Sequence, residues 1–235
     1  MSKTYIFTSE SVTEGHPDKV SDHISDAILD EFLRQDPDSR VAVETLVTTD
    51  FVAVAGEVTS KGKFDIEKVV RDTIAEIGYD DPVLKFDAKT CEIIVKIDPQ
   101  SPNISQGVTI SQTQKEQGAG DQGLMFGYAT NETDEFMPLP ISLAHKLTKK
   151  LADVRKSKEL AWVRPDGKSQ VSVAYVDDKP ERVETIVIST QHDPEISNEE
   201  IRKQIIDKVI KPVCENWWHD DIVIHVNPTG KFEIG

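Results

Sequence analysis

The order of strand-like and helix-like segments repeats along this chain, and that repeat limits the folds it can adopt. Strand patterns alternate apolar and polar residues, whereas helix patterns place apolar residues at every third or fourth position. In the first half the order is strand (residues 4–8), helix (from about 18), strand (41–48), strand (51–58), helix (66–77) and strand (92–97). This is the order of a β-α-β-β-α-β unit, in which one sheet carries two helices on one face.

The second half has the same order, offset by roughly 120 residues. Its predicted segments are a strand near Leu124, a helix over 143–154, strands at 171–176 and 183–189, a helix from the Ser197 cap and a strand at 222–226. The sequence therefore predicts an α+β fold made of repeated β-α-β-β-α-β units. We expect an N-terminal domain (1–104), a linker and loop rich in Gln and Gly (105–123) and a central domain (124–235).

Composition argues against two classes of partner. The 235-residue chain carries a formal net charge of −15, whereas nucleic-acid binding depends on patches of Lys and Arg. It has no apolar run long enough to span a bilayer and no signal-peptide pattern at its amino end. We therefore expect a cytoplasmic protein with no nucleic-acid or membrane partner, whose two cysteines, Cys91 and Cys214, stay reduced.

Residues 15–19, GHPDK, place an imidazole, a carboxylate and an ammonium at the start of the first predicted helix. Unpaired N–H groups and the positive end of the dipole attract anions at a helix start. His16, Asp18 and Lys19 therefore indicate a site for a triphosphate and its metal. The same residue types also suit an ordinary helix start, with Pro17 in the first turn, and local spacing leaves both interpretations open.

Two glutamates interrupt the apolar strands of the first hairpin. If residues 49–50 form its turn, Glu44 lies opposite Ala55 and Glu57 opposite Ala42, all on one face. Diagonal neighbours of this kind are about 7 to 8 Å apart. They repel unless a cation or a substrate ammonium balances them. A solvated outer face of the sheet is the alternative.

Two turn-rich segments also carry charged side chains. GAGDQG at 118–123 presents Asp121 among glycines, where the backbone can approach a ligand closely. RPDGK at 164–168 places Asp166 and Lys168 at the entrance of a strand, a suitable position for ribose and phosphate contacts. A plain linker and an ordinary Pro-Asp-Gly turn are the alternatives.

The chain carries, in this order, GHPDK, Glu44, Glu57, DPQSPNI, GAGDQGLMFGYAT, RPDGKSQV, STQH and NPTGKF. With these segments the whole chain resembles the S-adenosylmethionine synthetase (methionine adenosyltransferase) family, in its bacterial type. The resemblance implies formation of S-adenosylmethionine from ATP and L-methionine, with hydrolysis of the triphosphate to pyrophosphate and phosphate. The family's chains continue into a third copy of the repeat beyond the position that matches Gly235, so this sequence lacks the C-terminal third.

The resemblance also implies roles for individual residues. The catalytic residues would be His16, Lys168 and Asp121. ATP would be bound by His16, Asp166, Lys168, Lys231 and Phe232. Methionine would be bound by Glu57, Gln100 and Asp121. Asp18 would ligate Mg²⁺, of which the family is expected to hold two per site, and Glu44 would bind K⁺. Residues 98–110 match the family's flexible loop over the active site.

The resemblance further implies an assembly. The family places its active sites between two subunits, so a homodimer or homotetramer is expected. The alternative is a truncated, catalytically inactive nucleotide-binding or regulatory subunit of such an enzyme.

Overall fold

The computed structural model describes residues 2–99 and 123–235. Its elements, in chain order, are β1 (Thr4–Val12), α1 (Pro17–Gln35), β2 (Arg40–Thr48), β3 (Phe51–Thr59), α2 (Ile66–Ile77), β4 (Glu92–Pro99), α3 (Leu139–Lys156), β5 (Val163–Val176), β6 (Lys179–His192), α4 (Asn198–Ile205) and β7 (Val223–Val226). A π-helical turn (Ile206–Ile210) extends α4. The predicted α+β class is confirmed. Neither described part of the chain contains a helix long and apolar enough to cross a membrane.

The strands form two sheets, and β1 lies in the sheet of the second half. β2, β3 and β4 form a three-stranded sheet, whereas the four-stranded sheet has the order β1-β5-β6-β7. β1 runs antiparallel to β5, from Thr4 opposite Val176 to Val12 opposite Lys168. The amino end of the chain therefore crosses over to the other sheet before α1 begins.

The prediction of a strand near Leu124 was wrong. Residues 123–130 adopt no regular structure, and the Leu124 side chain is 80% exposed. β1 instead pairs along β5, on the side away from β6. Alternating hydrophobicity indicates that a segment is extended, but it does not identify the strand with which that segment pairs.

The predicted register of the first hairpin is confirmed. Ala42 pairs with Glu57, and Glu44 pairs with Ala55. Asp50 in the turn has a φ of 55°, the left-handed conformation that tight hairpin turns require. The hairpin between β5 and β6 has its turn at residues 177–178, between the predicted strands at 171–176 and 183–189.

Two cores lie between the helices and the sheets. Val20, Ile24 and Ile28 recur along one face of α1 and pack with α2 against the three-stranded sheet. α3 and α4 pack against the four-stranded sheet in the same way. Cys91 lies in the first core and Cys214 in the second, and neither forms a disulfide.

The short segment between β1 and α1 joins the two halves. The buried Thr13 hydroxyl donates to the carbonyl oxygen of Pro165 at 2.7 Å and lies 3.2 Å from that of Gly167. The Thr13 N–H donates to the same Gly167 oxygen at 2.8 Å. Glu14 then forms an ion pair with Arg155 of α3 at 2.5 Å. These contacts hold the start of α1 against β5.

Thr13→Val is expected to destabilise the protein by about 1–3 kcal/mol, because the buried Pro165 carbonyl loses the hydroxyl that donates to it while the side-chain volume is kept. Urea denaturation measures the difference. Thr8→Val is the matched control: the Thr8 hydroxyl bonds to Ser172 at 2.8 Å at an exposed position, where a change within about 0.5 kcal/mol is expected. Equal losses in the two variants would contradict the assignment of Thr13 as the junction.

Candidate active site

His16 is the N-cap residue of α1, and one of its ring nitrogens accepts a hydrogen bond from the first turn of the helix. Its backbone is extended (φ −69°, ψ 140°), and Nδ1 accepts a hydrogen bond from the Asp18 N–H at 3.2 Å. The neutral ring therefore carries its proton on Nε2, which can donate to an anion. Pro17 begins the helix, and the Asp18 side chain is 88% exposed. The helix-start interpretation is therefore correct, and it is compatible with an anion site.

The turn before His16 is held on two sides. The buried Tyr79 hydroxyl donates to the Gly15 carbonyl oxygen at 2.6 Å. Burial raises the pKa of Tyr79, so this hydroxyl keeps its proton. A Cβ atom at Gly15 would collide with the backbone of Pro165. Glycine is therefore needed at position 15, because the turn lies directly against β5.

Lys168 on β5 and Glu10 on β1 bring two charges to the same region. The Lys168 Nζ lies 2.8 Å from a carboxylate oxygen of Glu10. Burial is the main cause that lowers the pKa of His16; Asp18 opposes that effect, Lys168 adds to it and Glu10 opposes it. Asp18, Lys168 and Glu10 thus all lie close enough to His16 to influence its ring electrostatically, and the roles predicted for His16, Asp18 and Lys168 stay predictions. Glu10 was missed, because nothing in the local pattern of β1 shows that it faces Lys168.

Asp166 lies two residues before Lys168 and is buried, with 5% of its surface exposed. Burial raises the pKa of Asp166 to about 7, and the Gly167 N–H acts in the opposite direction. Gly235 packs against its carboxylate. A buried carboxyl with a pKa near neutrality is characteristic of functional sites.

Lys231 and Phe232 lie in the segment that follows β7. The Lys231 side chain is 70% exposed, and its Nζ lies 3.0 Å from Glu233. Phe232 is half-buried, and its N–H donates to Nε2 of His192 at 3.0 Å. His192 was not predicted as a site residue, although the STQH segment that contains it was noted.

Glu44 and Glu57 lie on the outer face of the three-stranded sheet. Val43, Val52 and Val54 point into the core on the side of α1 and α2, whereas Glu44 is exposed and Glu57 is half-buried. Within one chain the two glutamates are therefore on the sheet face opposite the helix that begins at His16. Glu44 is thus exposed to solvent in a single chain, and its predicted binding of K⁺ stays a prediction.

Gln100, Asp121 and nearly all of the 98–110 segment lie outside the described residues. Within residues 2–99 and 123–235, no group of three or more His, Cys, Asp or Glu side chains is arranged to hold a metal ion. Asp18 and Glu44 lie at separate positions, in the first turn of α1 and on β2. This donor set suits a hard cation that takes most of its oxygen ligands from a substrate or from water.

Asp166→Asn is expected to change the pH dependence of stability. Because the folded-state pKa of about 7 lies above the unfolded value, stability from this group is fully present below about pH 4. It is lost as the pH rises through 7. The free energy of unfolding of the variant relative to wild type should rise by up to about 4 kcal/mol between pH 4 and pH 8, as measured by urea denaturation.

Asp178→Asn is the control for that experiment. Hydrogen bonding to Lys3 lowers the pKa of Asp178, so its contribution to stability is fully present above the unfolded pKa of about 3.9 and is lost only at lower pH. The difference in stability between Asp178→Asn and wild type should therefore stay constant between about pH 5 and pH 8. A pH-independent difference between Asp166→Asn and wild type would show that Asp166 titrates normally.

Comparisons with known proteins agree with the motifs. Models of the N-terminal and central domains of S-adenosylmethionine synthetase match residues 4–102 and 116–232. An S-adenosylmethionine synthase of Pseudothermotoga lettingae is 55% identical over 242 aligned residues, which cover 98% of this chain and 61% of that protein. One from Desulfosudis oleivorans is 54% identical over 237 residues, covering 100% of this chain and 61% of that protein. The chain thus spans about 61% of the length of these relatives, and it belongs to the S-adenosylmethionine synthetase family.

Proposed function

We propose that this chain acts as a methionine adenosyltransferase, forming S-adenosylmethionine from ATP and L-methionine and hydrolysing the triphosphate to pyrophosphate and phosphate. The observation that carries the proposal is the meeting of His16, Asp18 and Lys168 at the start of α1, with the buried Asp166 on the same strand as Lys168. Membership of the family supports it.

The reaction requires little acid–base chemistry from the protein. The thioether sulfur of methionine is a neutral nucleophile, so its attack on the ribose C5′ needs alignment and stabilisation of charge rather than a base. As the C5′–O5′ bond breaks, negative charge grows on the triphosphate and positive charge on sulfur. The His16 side chain and the backbone N–H groups of α1 can stabilise the triphosphate.

Lys168 is proposed to stabilise the same negative charge that develops on the triphosphate. In this structure its ammonium is paired with Glu10 at 2.8 Å. A bound phosphate would replace Glu10 as the partner of this ammonium, which is already in position. Asp166 is proposed to hold the nucleotide, and Lys231 with Phe232 the adenine side.

Glu57, Gln100 and Asp121 are proposed to bind methionine, where carboxylates favour its ammonium and the sulfonium of the product. Because Glu57 lies on the outer sheet face, away from α1, a site shared between two subunits fits its position. We accordingly propose a cytoplasmic homodimer or homotetramer. The domain limits 1–104 and 124–235 are part of this proposal, with β1 exchanged into the second sheet.

Mg²⁺, proposed at two ions per site, would be held in part by Asp18, and K⁺ by Glu44. Bound Mg²⁺ supplies positive charge that neutralises phosphate oxygens. A single exposed carboxylate fits such an ion, because Mg²⁺ bound to phosphates keeps few protein ligands. Glu44 is exposed on the outer sheet face, and its carboxylate is a hard oxygen donor that suits such a cation.

His16→Ala is expected to lower the rate of S-adenosylmethionine formation by about 10²–10³-fold, the usual cost of removing one group that stabilises transition-state charge. Mass spectrometry of a reaction with ATP, methionine, Mg²⁺ and K⁺ measures the product. His225→Ala, which removes an exposed imidazole from β7, is the matched control and should retain wild-type activity. No product from wild type, with Mg·ATP still bound, would instead support the inactive nucleotide-binding subunit.

The pKa of His16 provides a test that does not depend on turnover. It is lowered in the free protein, and a polyanion beside the ring should raise it, because opposite charge favours the imidazolium. We expect an upward shift when inorganic tripolyphosphate and Mg²⁺ are added, followed by NMR of the ring protons with pH. The same titration at His225 should show no change, and an unshifted His16 would contradict its place at the triphosphate.

A further inference from the structure

The segment after β7 has no helix or strand of its own, and side chains of β6 hold it in place. Residues 227–235 contain only turns and irregular backbone. At the start of the segment, the Thr190 N–H donates to Oδ1 of Asn227 at 2.8 Å, and Nδ2 of Asn227 donates to the Thr190 carbonyl oxygen at 3.1 Å. This reciprocal pair anchors the segment to the end of β6.

His192 forms hydrogen bonds to both main-chain polar groups of Phe232. The Phe232 N–H donates to Nε2 of His192 at 3.0 Å, and the His192 N–H donates to the Phe232 carbonyl oxygen at 2.9 Å. The other ring nitrogen, Nδ1, lies 2.8 Å from the Asp193 carbonyl oxygen. A carbonyl can only accept and an N–H can only donate, so the imidazole is the neutral form with its proton on Nδ1.

The next residue along the segment is held in the same way. Arg164 and Gln191 both donate to the Glu233 carbonyl oxygen, at 2.8 Å and 3.1 Å. The Gln191 side-chain oxygen accepts from the Asp166 N–H at 3.4 Å. Gln191 therefore connects the backbone of Asp166 to the residue that follows Phe232.

We infer that His192 is a positioning residue that holds Phe232 in register with Asp166 for the nucleotide, an inference that rests on the proposed function. Thr190, Gln191 and His192 are all fully buried, at 0% exposure. Burying polar side chains costs free energy unless every polar group is paired, and apolar residues would fill this core without that cost. Here Nε2 of His192 and Nε2 of Gln191 pair with the backbone of residues 232 and 233, and these bonds fix the position of the irregular segment relative to β5.

Two substitutions separate this role from simple packing. Asparagine places its amide nitrogen near the position of Nδ1 and cannot accept from Phe232, whereas glutamine can place its oxygen near the position of Nε2. We expect His192→Asn to weaken Mg·ATP binding at least tenfold and to leave Mg·tripolyphosphate binding within twofold, by calorimetry on the full chain. His192→Gln should restore most of the ATP affinity.

Hydrogen exchange of the Phe232 amide gives a readout without ligand. Exchange should accelerate at least tenfold in His192→Asn and much less in His192→Gln. His219→Asn is the matched control, because that histidine bonds to the Val183 carbonyl oxygen at 2.8 Å, away from the segment; ATP affinity should not change.

The outcomes are distinct. Equal ATP binding in His192→Asn and wild type, or equal losses for both ligands, would overturn the inference and leave the proposed function intact. Wild type that binds neither ligand would overturn the proposed function and this inference with it, whatever the exchange of the Phe232 amide.

Discussion

The pairing of β1 with β5 is the constraint on which the candidate active site depends. It ends with Val12 opposite Lys168, and the next residue, Thr13, bonds to the backbone on either side of Asp166. His16 follows three residues later, at the start of a helix that packs on the other sheet. The distance between His16 and Lys168 is therefore determined by a junction between the two halves, and neither half alone would contain the site.

The charges at this junction make the proposed polyphosphate site compatible with a net charge of −15. Most of its acidic residues are solvated on the surface, but at the start of α1 the backbone N–H groups, His16 and Lys168 provide local positive potential. Glu10 balances Lys168 in this structure. Because an exposed ion pair contributes little to stability, replacing Glu10 by a phosphate as the partner of Lys168 would lower the stability of the protein only slightly.

Local patterns predicted those parts of the fold that local interactions determine. The register of the β2–β3 hairpin follows from its two-residue turn, and α1 and α4 begin at the caps His16 and Ser197. The partner of β1 could not be predicted, because an edge strand has the same periodicity in either sheet. The contacts of Glu10 and His192 could not be predicted for a related reason: their partners lie 158 and 40 residues away along the chain.

The surroundings of His16 suit a reaction that needs alignment more than proton transfer. A general base must exchange protons with solvent, whereas a group that stabilises developing charge works best when its position is already set and requires no reorganisation. The Gly15 turn is held by Tyr79 from one side and by Pro165 from the other, and Nδ1 of His16 is committed to the helix. Only Nε2 then remains for a ligand, and its direction is set by the fold before the ligand arrives.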